Sequence, residues 1–195
     1  MSKKIKYDDQ INFVIKELKE DLSKAVENKS SEFREFVFST ITKNNSPNSR
    51  TVILREFEQD WILKIHSDIR ALKVQELKKN EDVCLLFYSN KKKIQLRLYG
   101  KASIKKNDLK SWNGLSKWSK KNYISYNTPG NEIELKNINI KSTNIDEGIN
   151  NFCTIIVKIN EIDWLCLSRH GNKRAKIRIK RSHGLEELEK IWIEP

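Results

Sequence analysis

A chain of 195 residues has the length of one ordinary domain and can bury a core of its own. Apolar residues make up only 37% and charged residues 33%, yet five tryptophans and seven phenylalanines set the chain apart from disordered sequences, which lack aromatics. The formal charge of +12 raises the question of a polyanionic partner, but lysine is spread along the whole chain rather than gathered in one arm, so a nucleic-acid role is not indicated.

Three cysteines, Cys84, Cys153 and Cys166, lie in apolar runs with no Cys-x-x-Cys. That pattern supports neither a disulfide framework nor a zinc site and suits free thiols in a reducing cytoplasm. The N-terminus has no apolar leader, and no run reaches membrane-spanning length, so a cytoplasmic protein is expected. His66, His170 and His183 show no metal-ligand spacing, and no metal is expected. His170 reads as a polar turn residue.

Taken in order, Ile11, Val14, Ile15, Leu18, Leu22, Ala25 and Val26 recur at helical spacing, with Asp8 or Asp9 as cap, and give an N-terminal helix within residues 1–30. Phe36–Ile41 alternates as a first strand, 43–49 has turn chemistry, and Arg50–Phe57 reads as a second strand. After a turn at 58–60, Trp61–His66 is a third strand, and the three form an expected antiparallel meander. A helix capped by Ser67 or Asp68 runs to about Lys79, followed by a central strand Val83–Tyr88. The strand starting at Ile94 continues past Gly100, where a bulge is expected.

Asn107 or Asp108 caps a further helix bearing Leu109, Trp112, Leu115 and Trp118; residues 131–151 read as a long loop with one helical turn. Phe152–Ile159 is a β-branched strand, and Asp163–Leu167 with Ala175–Lys180 forms the expected last hairpin. Seven or eight strands in hairpin order with two helices after the first give a mainly antiparallel β-barrel with peripheral helices. The whole of 1–195 is expected to be one domain, with core strands and a helix in 33–106, a helix and loop in 107–151 and closing strands in 152–195.

Chemistry concentrates in 50–73. Arg70 and Lys73 are three apart, and with Ser67 and a helix start they would hold a phosphate; the bland alternative is a solvated basic face. Arg50 and Arg55 end an apolar strand on the order of 16 Å apart, about the length of a flavin mononucleotide, though surface arginines on a barrel strand would look the same.

Arg50-Thr51-Val52-Ile53-Leu54-Arg55, then Ile65-His66-Ser67-Asp68-Ile69-Arg70-Ala71-Leu72-Lys73, then Ile94-Gln95-Leu96-Arg97-Leu98-Tyr99-Gly100 resemble, in order and spacing, the pyridoxamine 5′-phosphate oxidase family of FMN-binding split barrels, closest to its oxidase-related branch. The resemblance implies a split β-barrel, FMN at a homodimer interface and a small-molecule substrate. It further implies cofactor contacts from Arg50, Thr51, Val52, Ile53, Leu54, His66, Ser67, Arg70, Lys73, Gln95 and Arg174. Trp164 lies one position from the family's hairpin tryptophan, and Trp192-Ile193-Glu194-Pro195 is similar to its C-terminus. Arg55 stands where the oxidases place a substrate-facing lysine, and 168–174 lacks their Arg-Leu-His run; no catalytic residue is assigned. The readings carried forward are an FMN-dependent oxidoreductase, a true pyridoxamine 5′-phosphate oxidase, and a non-enzymatic barrel that binds nucleic acid or another anion.

Overall fold

The computed structural model describes the backbone of residues 2–138, 140–182 and 185–195, with side chains described from Gln10 onward. Helix α1 (Ser2–Glu27) starts before the expected cap, so Asp8 and Asp9 lie inside it. Its stripe is as read: Ile11, Ile15, Leu18, Leu22 and Ala25 are buried. The helix ends where the Arg34 guanidinium donates to the carbonyls of Ala25 at 3.1 Å and Val26 at 2.7 Å, satisfying two groups that a helix C-terminus leaves without partners.

Nine strands follow: β1 (Glu35–Ile41), β2 (Pro47–Ile53), β3 (Glu56–Glu58), β4 (Ile62–Asp68), β5 (Asp82–Ser89), β6 (Ile94–Lys106), β7 (Phe152–Cys166), β8 (Lys173–Ser182) and β9 (Leu185–Ile193). They form one antiparallel sheet in the order β2-β1-β5-β6-β7-β4-β3, with β8 on β7 and β9 on β8. The split-barrel architecture expected from the sequence is present. Its inner face is packed by alternate residues, among them Phe36, Phe38, Leu63, Ile65, Leu85, Phe87, Leu96, Leu98, Ile155 and Val157. Phe36 stacks on Phe87 at 4.4 Å between ring centroids.

Several expectations need correction. The second strand begins at Pro47 and stops at Ile53; Leu54 and Arg55 form a break before β3. The break is fixed by the backbone: Leu54 N–H donates to the Arg34 carbonyl and Arg55 N–H to the Lys64 carbonyl. The meander therefore divides, with β2 at one end of the sheet beside β1 and β3–β4 at the other. The helix after β4, α2, covers only Leu72–Leu77; Ser67 and Asp68 end β4, and Ala71 occupies the cap position with no side-chain bond. The Asp68 carboxylate instead accepts from the Arg70 N–H at 2.8 Å, within a turn closed by the Ala71 N–H donating to the Asp68 carbonyl, and the helix starts only after it.

Helix α3 (Leu109–Asn113) follows Asp108, and Trp118 belongs to a separate helix α4 (Lys117–Lys120) capped by Ser116, where it is exposed. Two 3₁₀ turns, Leu135–Asn137 and Ile145–Asn150, interrupt the long loop. The expected strands 152–159 and 163–167 are one strand, β7; the expected pairing of 163–167 with 175–180 is present between β7 and β8, and a further strand, β9, pairs β8 beyond it, alternating too weakly in hydrophobicity to announce itself.

Strand β7 is the spine of the split. Its first half pairs β4, from Ile62↔Lys158 to Asp68↔Phe152, and its second half pairs β8, from Glu161↔Arg178 to Cys166↔Lys173. The partner change coincides with the expected bulge, where the β6–β7 register shifts between Tyr99 and Gly100. A side chain at Gly100 would run into the Lys158 carbonyl oxygen and the Ile159 Cα, both backbone atoms with no freedom to step aside. Gly100→Ala is therefore expected to lower unfolding free energy by about 2–3 kcal/mol, the usual scale of overpacking. Urea unfolding checks it, and a loss below about 0.5 kcal/mol, the level of a neutral surface change, would show that the bulge has slack.

Candidate functional site

The sequence-predicted site residues fall into three clusters, each built by a different part of the sheet.

The first lies where α2 meets β1, β2 and β4. Arg50, on the edge strand β2, reaches past Phe38 to the buried Thr40 hydroxyl and to Glu76 of α2. Its Nη1 donates to the Phe38 carbonyl at 3.3 Å and to Thr40 Oγ1, and its Nη2 donates to Glu76 Oε2 at 3.1 Å. Glu76 also accepts from Thr40 Oγ1 at 2.6 Å and Asn48 Nδ2 at 2.8 Å, and these donors hold its carboxyl below the usual range against the effect of burial. One turn earlier on α2, Lys73 Nζ donates to Ser67 Oγ at 3.1 Å. Lys73 is half-buried, and its pKa is lowered by burial first and then by the Arg50 charge. Among the described residues no carboxylate lies within 4.0 Å of it; its bond to the neutral Ser67 hydroxyl leaves the charge uncompensated.

Arg70 differs. Its Nε and Nη2 donate to both oxygens of Asp68 at 3.0 and 2.7 Å, so its charge is matched inside the chain. Thr51 is exposed on β2, with Val52 and Ile53 half-buried, and β2 has no strand beyond it.

Residues alternate across β4, so His66 and Ser67 face opposite ways. His66 lines a second cavity of about 310 Å³ with Leu54, Arg55, Arg34, Lys110 and Ser111. The outer wall comes from the 107–151 segment: Phe152 meets the rings of His66, Trp112 and Tyr123 at 5.0, 5.5 and 5.1 Å. Asp108 anchors that wall, accepting from the buried Thr154 hydroxyl at 2.9 Å and pairing with Lys105 at 2.9 Å. Arg55 is half-buried with no carboxylate partner among the described residues, and its pKa is lowered by burial first. The pKa of His66 drops to about 4 through burial first and the Arg55 charge second, and its Nδ1 is buried without a hydrogen-bond partner. Burial drives the nearby Tyr123 hydroxyl the other way, to about 12. Arg34, Arg55, Lys110 and the His66 imidazole thus share the cavity lining with one acid, Glu56, which is paired with Lys64 at 2.9 Å.

The third cluster crosses β6, β7 and β8, where Gln95, Leu165 and Arg174 are successive partners. Arg174 donates to Asp163 at 3.0 and 2.8 Å, and Arg97 reaches the same carboxylate at 2.6 Å, which keeps Asp163 ionised while nearly buried. The Gln95 amide makes no side-chain hydrogen bond among the described residues, and Arg97 Nε is buried without a partner. Trp164 faces the other side, edge-on to Trp192 at 6.2 Å. Three strand spacings, about 14 Å along the sheet, separate β2 from β6, so no protein contact joins Arg50 to Gln95.

Residues 15–106 match the family model described as pyridoxamine 5′-phosphate oxidase, FMN-binding domain. The match bears out, over residues 15–106, the resemblance to the pyridoxamine 5′-phosphate oxidase-like family. Among solved structures the chain resembles a pyridoxamine 5′-phosphate oxidase-related, FMN binding protein from Nostoc punctiforme PCC 73102, with 19% identity, a TM-score of 0.73, and 89% of this chain and 94% of that one covered. PhzG from Burkholderia lata 383, in complex with tetrahydrophenazine-1-carboxylic acid, matches at 16% identity and TM-score 0.72, covering 93% and 92%. A protein related to general stress protein 26, from Clostridium acetobutylicum, matches at 15% identity and TM-score 0.53, covering 80% and 94%. At these identities the likeness is one of fold.

Four residues at these clusters were not singled out from the sequence: Thr40, Asn48, Glu76 and Asp163. Glu76 had a signal, being three residues after Lys73 and between the apolar Val74 and Leu77 on α2. Asp163 had a similar one, an acid between Ile162 and Trp164 in a strand. His170 lies exposed on a turn as expected, while His183 lies outside the described residues. Among the described residues no group of His, Cys, Asp and Glu could hold a metal ion, and no helix is long and apolar enough to cross a membrane.

The His66 shift fixes a pH dependence. Above pH 6.5 the imidazole is neutral folded and unfolded; between 6.5 and about 4 only the unfolded chain takes the proton, so stability falls as pH drops through that window. His66→Gln is expected to flatten the decline in urea-derived stability between pH 7.5 and pH 5. Equal slopes in the two proteins would show that His66 titrates normally.

Proposed function

We propose that this chain is an FMN-dependent oxidoreductase. The observation that carries the reading is Lys73: a half-buried ammonium with no carboxylate beside it, hydrogen-bonded to Ser67 and close enough to Arg50 to feel its charge. A second cation brought to an uncompensated first is unfavourable in isolation and becomes favourable around an anion. Arg50 uses three of its five N–H donors on Phe38, Thr40 and Glu76, leaving two for a ligand. The donor set of Lys73, Ser67 and Arg50 fits a phosphate monoester.

The edge of β2 at Thr51, Val52, Ile53 and Leu54 would border the flavin ring, and the Gln95 amide is free to meet its polar rim. When bound, the flavin accepts or returns an electron pair; the protein orients it and sets the charge around it. Arg70 supports the site by its tie to Asp68 at the end of β4. Arg174, fixed by Asp163 on the outer sheet face, would close the ring end from a second copy of the chain, in keeping with a homodimer.

Arg55, His66 and Lys110 suit the acidic end of a small substrate. There Arg55 supplies the charge, and neutral His66 offers a hydrogen-bonding group rather than a second cation. This arrangement also admits the second reading, turnover of a vitamin B6 phosphate, since Arg55 can grip a phosphate as the oxidases' lysine does. A nucleic-acid module is disfavoured because basic residues on the outer strands are matched locally, as Lys176 and Arg178 are by Glu161, and Lys180 by Glu189.

Purified protein should bind FMN, and Lys73→Ala should weaken that binding by about tenfold or more, the scale of a lost charge-assisted hydrogen bond. Riboflavin, which lacks the phosphate, should bind equally to wild type and variant. Quenching of flavin fluorescence during titration measures both. A variant that keeps wild-type FMN affinity would remove Lys73 from the site, and a wild type that cannot tell FMN from riboflavin would remove the phosphate site altogether.

A further inference from the structure

An acid in the middle of an anion site is unexpected. Glu76 is almost completely buried, shares a helix face with Lys73 three residues away, and holds Arg50 through Nη2. Its two oxygens take three donors, from Thr40, Asn48 and Arg50. Arg70 and Asp68 cancel next door. Two cations and one carboxylate thus leave a single net positive charge where the bound phosphate would lie.

The carboxylate has two opposed effects on Arg50. It grips one edge of the guanidinium, with Thr40, and so aims the other edge outward. It also offsets the charge that Arg50 would present to a ligand. The grip depends on shape and hydrogen bonding; the offset depends on charge. A glutamine of the same length separates them. The Thr40 hydroxyl can rotate, and the Asn48 amide can turn its oxygen toward the new NH2 group, so most of the grip survives while the negative charge is lost.

We propose that Glu76 is a specificity-determining residue that limits the charge of the anion site, competing with a doubly charged phosphate for Arg50 and restraining its affinity. This rests on the reading of Lys73, Ser67 and Arg50 as the phosphate site. Lys73 lies within reach of the same charges: its pKa is lowered by burial first and by Arg50 second, with Glu76 the smallest of the opposing influences. In the absence of Glu76's charge, a dianion meets two uncompensated cations in a partly buried corner, where attraction is screened far less than at the surface.

The test uses full-length protein, with inorganic phosphate, FMN and riboflavin as probes. Titration by flavin fluorescence and by phosphate-dependent thermal protection should show that Glu76→Gln tightens FMN and phosphate about tenfold, which is about 1.4 kcal/mol, and leaves riboflavin unchanged. The gain should shrink as salt is raised. If the glutamine variant folds poorly, the same titrations of both proteins in sucrose, which favours the compact state, should show the same direction. Unchanged or weaker FMN and phosphate binding in the folded variant would overturn the inference while leaving the phosphate site in place, and so would equal tightening of riboflavin. A wild-type protein that binds neither phosphate nor FMN would overturn both the inference and the function it rests on.

Discussion

The buried carboxylate of Glu76 ties its own helix to a strand hairpin that lies 26 to 36 residues earlier in sequence. Through Thr40 it holds β1, through Asn48 and Arg50 it holds the edge strand β2, and its own helix α2 carries Lys73. A helix of six residues has too little intrinsic stability to hold a position by itself. Val74 and Leu77 anchor it to the core, and Glu76 fixes its rotation against the sheet edge. Ser67 lies near the end of β4, and the Lys73–Ser67 bond joins that strand to the same helix. Charge and architecture are inseparable here: the group that orders the corner also sets its electrostatics.

Strand β4 divides the chemistry in two. Ser67 turns toward the Lys73 corner, and His66 toward the cavity of Arg55. The division follows from strand alternation and the break at Leu54–Arg55, which sends the two arginines of one short run to different places. The outer cavity depends on a segment with little regular structure. Residues 107–151 are held by Asp108, and by the Trp112, Tyr123 and Phe152 rings, rather than by strand pairing.

Much of this was legible in the sequence. The stripe from Ile11 to Ala25, the alternation of Phe36 and Phe38 and of Leu96 and Leu98, and the glycine at the bulge all follow from local periodicity and sterics. The three motifs around Arg50, Lys73 and Gln95 carried the family. Pairings decided over long range were not legible. The separation of β2 from β4 depends on what β1 and β4 find as partners far along the chain, and β7 read as two strands because the composition changes where its partner changes from β4 to β8. Arg70 and Lys73 looked alike in sequence. Only the fold gives one a carboxylate, Asp68, and leaves the other without, and the phosphate-site proposal for Lys73 rests on that difference.

The central claim is that the Lys73 corner receives the phosphate of a flavin mononucleotide, and the phosphorus resonance of FMN reports on it directly. In the presence of wild-type protein the 31P signal should move away from that of free FMN and lose its dependence on pH near the second phosphate ionisation, since neighbouring cations keep the group ionised. With Lys73→Ala the signal should return toward the free position at the same protein and ligand concentrations. A 31P resonance in wild type that stays at the free position and titrates as free FMN does would contradict the account.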